Sequence, residues 1–117
     1  MLHLLLLLTV AFTEPVAWLQ DATVTAEDTF QGEPVSYAFQ FRNLTDVPLV
    51  VENVRVGCGC TATEWQETPV APGELGSINV TYDATNAGYY RKYVKVYFRG
   101  HRGGHKLWLE GFVESAP

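Results

Sequence analysis

The chain has little of what catalytic and metal-binding proteins are usually built from. Of its 117 residues, two are cysteine, three are histidine and one is methionine. Ser36, Ser77 and Ser115 are its only serines. The first two fall within expected strands and the third in the tail, so the nucleophile elbow of a serine hydrolase has no place to form. No glycine-rich loop leads into a helix, which removes the phosphate-cradling class. The 13 acidic residues show no spacing that selects two of them for acid–base work. Helical periodicity is missing throughout. One further absence is local: from Ala84 to Lys106 there is no acidic residue, although Arg91, Lys92, Lys95, Arg99, Arg102 and Lys106 all lie there.

What is present describes one small globular domain. Apolar residues make up 47% and charged residues 18%, which argues against disorder. A net charge of −5 makes nucleic acid an unsuitable partner. Because the acid-free stretch holds six of the eight cations, the domain should carry a basic hairpin on an acidic body. Met1 to Phe12 reads as the apolar core of an export signal, expected over residues 1–13. Its run of about 11 apolar residues fits the ~7–15 of such a segment and falls short of the ~20 needed to span a bilayer. Export, with no membrane span, is the expectation.

From there the pattern is period two, the mark of half-buried strands. A first strand is expected over Val16–Leu19, running on towards Val24. Val35, Tyr37, Phe39 and Phe41 alternate with Ser36, Ala38, Gln40 and Arg42. Asn43 to Pro48 is turn chemistry, with Asn and Asp able to bond their own backbone. Leu49 to Val56 changes phase midway, which a bulge near Glu52-Asn53 would reconcile. Thr61–Trp65, a strand through Ile78, Val80 and Tyr82, a long strand ending at Arg99, and a last one through Leu107, Leu109 and Val113 follow. About seven short strands with Gly, Pro, Asn and Asp between them predict an all-β, immunoglobulin-like antiparallel β-sandwich over residues 16–114.

Phe39-Gln40-Phe41-Arg42-Asn43, Val47-Pro48-Leu49, Val54, Cys58-Gly59-Cys60-Thr61, Glu64-Trp65, Pro69, Pro72-Gly73-Glu74, Ile78-Asn79-Val80, Gly88 and Gly111 follow one pattern in order. It resembles a bacterial family of secreted immunoglobulin-like domains, domain of unknown function 1573, over roughly Val16 to Val113. The resemblance implies the sandwich fold and an envelope location. Two departures are Gly57, where Ser is usual, and a blurred stretch at Asp28-Thr29-Phe30-Gln31-Gly32.

Two features carry the candidate chemistry. Cys58 and Cys60 share strand parity with Val54 and Val56, so both would continue the core-facing row as small hydrophobes. A disulfide between them requires the backbone to curl at Gly59. Redox activity or Cu(I) bridged by two thiolates is the chemical alternative. His101 and His105 fall in a Gly-rich turn at the opposite end of the expected sandwich, as solvated residues too far away to complete a metal site with the cysteines. The second feature is the run Tyr89, Arg91, Tyr93, Lys95, Tyr97 and Arg99, which alternates aromatic and cationic side chains on one strand face. Such a face binds acidic polymers or partners by stacking and charge, or is a solvated sheet face packed across its strands. The expected function is a non-catalytic envelope or periplasmic interaction module, needing no cofactor, whose partner is an envelope protein or a glycan.

Overall fold

The computed structural model describes residues 14–116. The expected signal segment at 1–13 lies outside the described residues. Nine strands follow in chain order: β1 (Val16–Trp18), β2 (Thr23–Thr25), β3 (Thr29–Phe30), β4 (Val35–Asn43), β5 (Val51–Val56), β6 (Thr61–Trp65), β7 (Leu75–Tyr82), β8 (Gly88–Phe98) and β9 (His105–Glu114). They form two sheets, one in the order β1-β4-β7-β6 and the other β2-β9-β8-β5, with β3 also on β9. Among the described residues no helix is long and apolar enough to cross a membrane.

The alternating sequence is what builds the space between the sheets. Phe39, Phe41, Ile78, Val80 and Tyr82 come from the first sheet, and Val94, Val96, Phe98, Leu107, Leu109 and Val113 from the second; all are buried. Phe41 and Phe98 meet edge to face at 5.1 Å between the layers. Burying a large apolar side chain contributes roughly 1.5–3 kcal/mol, so this inner layer outweighs any single surface contact. The phase change in β5 is a register shift between Val51 and Asn53, at the expected bulge. Asn43 organises the β4–β5 connection: its Oδ1 accepts from the Thr45 backbone N–H at 2.8 Å, and its Nδ2 donates to the carbonyls of Val47 and Val70. A buried amide is tolerated there because every polar group on it is satisfied.

The sandwich differs from the expectation between Val16 and Phe30. The expected single strand from Val16 towards Val24 is split: β1 runs antiparallel to β4, while β2 and β3 run parallel to β9 in the opposite sheet. The chain therefore crosses between the sheets at Leu19–Ala22, where the apolar alternation lapses. The core-facing row ascribed to Val54, Val56, Cys58 and Cys60 also ends early. Val54 is buried; Val56 faces the same side, opposite Val94, but is 41% exposed where β5 ends, and Cys58–Cys60 lie in a turn from which Cys60 packs partly buried against the core. That turn carries the chain from β5 in one sheet to β6 in the other, so strand parity cannot continue through it.

Candidate functional site

The outward face of the β2-β9-β8-β5 sheet gathers most of the side chains with binding chemistry. On β8 it presents Tyr89, Arg91, Tyr93, Lys95 and Tyr97, because Tyr90, Val94, Val96 and Phe98 take the buried parity. Cross-strand register then brings in residues from both neighbours. Lys95 stands opposite Lys106 on β9 and Arg55 on β5, Tyr93 opposite Trp108, Arg91 opposite Glu110, and Tyr89 opposite Phe112. Rows of rings and rows of charge alternate down the sheet.

The aromatic rows are packed under the cations. Tyr93 and Trp108 lie side by side with centroids 5.2 Å apart. The Arg91 guanidinium sits 3.9 Å over the Trp108 ring, and the Lys106 ammonium 4.4 Å over Tyr93. Each such pair contributes ~0.5–1 kcal/mol at an exposed site. Glycines make room for this layer. A Cβ on Gly57 would lie 2.8 Å from Tyr93 Cε1, and one on Gly104 2.6 Å from Lys95 Cγ. Gly57, where the resembled family has Ser, is thus the residue that lets the Tyr93 ring lie against the end of β5.

Charge on the face is unevenly balanced. Glu110 accepts a hydrogen bond from Tyr89 Oη at 2.7 Å and one from Thr25 Oγ1 at 3.2 Å, and lies 3.5 Å from Arg91 Nε. Those hydrogen bonds, Tyr89's first, hold its carboxyl below the usual range, and the same bond holds the Tyr89 phenol above its own. Arg91 is therefore partly neutralised. Arg55, Lys95 and Lys106, directly opposite one another, have no carboxylate within 4.0 Å among the described residues. Like charges opposed across strands are destabilising, so this row is maintained against a local cost.

The Cys pair adjoins the same face. Cys58 and Cys60 are joined by a disulfide that closes the turn around Gly59. A hollow of about 220 Å³ beside it is lined by Gly57, Cys58, Arg91, Lys92, Tyr93 and Trp108. The two features that the sequence keeps thirty residues apart are thus neighbours in space.

Two expected placements change. Arg99 lies past the end of β8, 3.9 Å from Glu52 at the sheet edge, and does not join the rows formed by the other five residues. His105 is not a solvated turn residue: it opens β9 with its ring inward, half-buried against Phe98, and its Nδ1 accepts from Trp18 Nε1–H at 3.2 Å. Burial pushes its imidazole below the ordinary value. Sequence reasoning missed Arg55, Lys106, Trp108 and Glu110. The signal existed for three of them: Lys106, Trp108 and Glu110 alternate with Leu107, Leu109 and Gly111 on one strand.

No curated protein matches the sequence. Solved structures share the fold at low identity. A crystal structure of a protein of unknown function from Porphyromonas gingivalis W83 aligns with a TM-score of 0.68 at 13% identity, covering 83% of this chain and 46% of that one. The chain thus spans about half the length of that relative. The ASH / PapD-like domain 7 of human CEP192 aligns at 0.67 and 12% identity, covering 88% of this chain and 87% of that one. The YadV chaperone aligns at 0.57 and 12% identity, over 89% of this chain and 53% of that one. The family described as "Protein of unknown function (DUF1573)" matches residues 18–113, nearly all of the sandwich, and the chain belongs to it.

Proposed function

We propose that this chain is a non-catalytic interaction module of the cell envelope or periplasm, exported behind residues 1–13, which holds an acidic partner on the outer face of the β2-β9-β8-β5 sheet. The observation that carries the reading is the row Arg55–Lys95–Lys106, three cations in register with no carboxylate within 4.0 Å among the described residues, in a chain whose net charge is −5. A sheet that keeps like charges opposed loses a little stability, and an incoming anion recovers it. Tyr89 donates to the Glu110 carboxylate on this face, but the bond holds its phenol above the ordinary value and so keeps it protonated, which supports binding over catalysis. The alternative is a thiol-redox or Cu(I) site at Cys58 and Cys60: Cu(I) has less support because it requires free thiolates, while the bonded pair is by itself one half of a dithiol–disulfide couple.

Retention on a sulfonate cation exchanger at pH 7 and low salt tests the reading. An acidic protein is expected to be held through this one face and released as salt screens it. Arg55→Gln with Lys95→Gln and Lys106→Gln should abolish retention, while Arg42→Gln on the other sheet should not. Flow-through of the unaltered protein at low salt would sink the proposal.

A further inference from the structure

We propose that the acidic partner is a linear polysaccharide whose sugar rings carry carboxylates, and that it lies along β8 over the tilted Tyr93–Trp108 ring pair. The inference rests on the reading of this face as the binding surface and adds the class of ligand.

Three observations select a glycan. The first is the repeat along β8. Tyr97, Lys95, Tyr93, Arg91 and Tyr89 alternate ring and cation every second residue. At ~3.3 Å per residue, one row follows the last after ~6.6 Å, and the ladder is ~26 Å long. Strands ~4.8 Å apart make the row Arg55–Lys95–Lys106 ~10 Å wide. That outline is a narrow strip, suited to one extended polymer in which rings and charges also alternate. An incoming carboxylate draws Arg91 and Lys106 off the Trp108 and Tyr93 rings they cover, and the carbon–hydrogen face of a sugar ring takes their place.

The second observation is what the strip lacks. Outward positions on β8 and β9 hold aromatic, charged and polar side chains, with Phe112 as the exposed apolar one and no Leu, Ile, Val or Met. Protein interfaces also favour Tyr, Trp and Arg, but their centres are depleted of charge, whereas here every second row holds a cation. Third, the hollow beside Cys58 measures about 220 Å³ and is lined by Arg91, Lys92, Tyr93 and Trp108. Sites for whole small molecules run to ~300–1,000 Å³, so this one admits a single substituent or ring edge. With two cations in its wall, it fits one carboxylate of the polymer. Single-stranded nucleic acid also combines rings with charge. Surfaces that take nucleic acid sit on strongly basic domains, and this chain has a net charge of −5, so nucleic acid enters as a competitor in the test.

The test is direct titration of the full chain, followed by tryptophan fluorescence and calorimetry. The probes are a galacturonate oligomer, a neutral glucan oligomer of equal length, a poly-glutamate peptide and an oligothymidylate. The galacturonate oligomer should bind at least about tenfold tighter than each of the others and perturb Trp108 emission. Lys106→Gln, at an exposed position, should weaken it about tenfold, Trp108→Phe by less, and Arg42→Gln not at all. Poly-glutamate or oligothymidylate binding as tightly as the galacturonate oligomer would overturn the glycan inference while leaving the acidic-partner reading intact. Equal binding of the neutral glucan would overturn the role of the cations. Failure to bind any polyanion, together with flow-through on the cation exchanger, would overturn both readings.

Discussion

The two outer faces of the sandwich are made from strands of similar length and the same alternation, yet they are different surfaces. On the β1-β4-β7-β6 sheet the outward residues are mostly small or polar: Ser36, Ala38, Gln40 and Arg42 on β4, Ser77, Asn79 and Thr81 on β7, Ala62 and Glu64 on β6, with Leu75 the exposed large apolar residue where β7 begins. They satisfy one another, as Ser36 and Thr81 do at 2.6 Å across the strands, or reach a backbone carbonyl, as Arg42 does at Gly73. On the β2-β9-β8-β5 sheet the outward residues are large rings and long cations, stacked and in part uncompensated. Both faces meet the requirement of a half-solvated antiparallel sheet. Only the second does more than fold requires. The first surface is merely compatible with water, whereas the second leaves part of its charge without a counter-charge close by.

Glycine substitution probes the comparison hardest. Gly57→Ser places a Cβ 2.8 Å from the Tyr93 ring, so about 1–3 kcal/mol of stability should be lost, read from urea denaturation. Adding Tyr93→Ala should make the pair of changes less than additive, since the ring that is displaced is then gone. Gly59→Ala, with no heavy atom within 4 Å of the added Cβ, should stay within about ±0.5 kcal/mol. Equal losses at Gly57 and Gly59 would mean that the turn, rather than the aromatic layer, imposes the requirement.

A smaller effect tests the cation row. Lys95→Gln removes the middle charge between Arg55 and Lys106, so the protein should become more stable by ~0.2–1 kcal/mol at low salt, with the gain fading as salt rises. The same variant should bind polyanions less well. Ser77→Thr on the opposite face should change neither property. A Lys95→Gln protein that is less stable and binds normally would show the row to be structural.

The smallest effect is in acid. The Glu110 carboxyl is held below its usual value by the Tyr89 hydrogen bond, so the folded state prefers it ionised. Its contribution is present above the ordinary carboxylate value of 4.5 and is lost as pH falls through the depressed folded value. Glu110→Gln should flatten that part of a pH titration of stability. An unchanged acid limb would show that Tyr89, Thr25 and Arg91 do not hold the carboxylate in solution.

Much of this was legible in the chain. The alternation of Val35 to Arg42 and of Tyr89 to Phe98 assigns inner and outer faces residue by residue, because successive side chains of a strand must point opposite ways. The phase change in β5 marks its bulge for the same reason. Parity fails where the backbone leaves extended geometry, at the Cys58–Cys60 turn; Val56 keeps the inner side, opposite Val94, and is exposed because β5 ends there. Parity also says nothing about neighbours across strands. His105 falls on the inner parity of β9 but lies at the end of a Gly-rich turn, and only its packing against Trp18 and Phe98 shows which side of the strand's start it belongs to.

By itself the sequence determined the fold class, the alternating ring-and-cation face of β8 and the acid-free stretch that makes it basic. These are properties of a strand's own period and of local composition. Tertiary structure decided the rest. Register placed Arg55 and Lys106 on either side of Lys95, and Trp108 beside Tyr93. The crossing from β5 to β6 carried the bonded Cys58 and Cys60 to the rim of that face. Pairing joins residues far apart in the chain, and no period within a single strand encodes which partner residue will stand opposite.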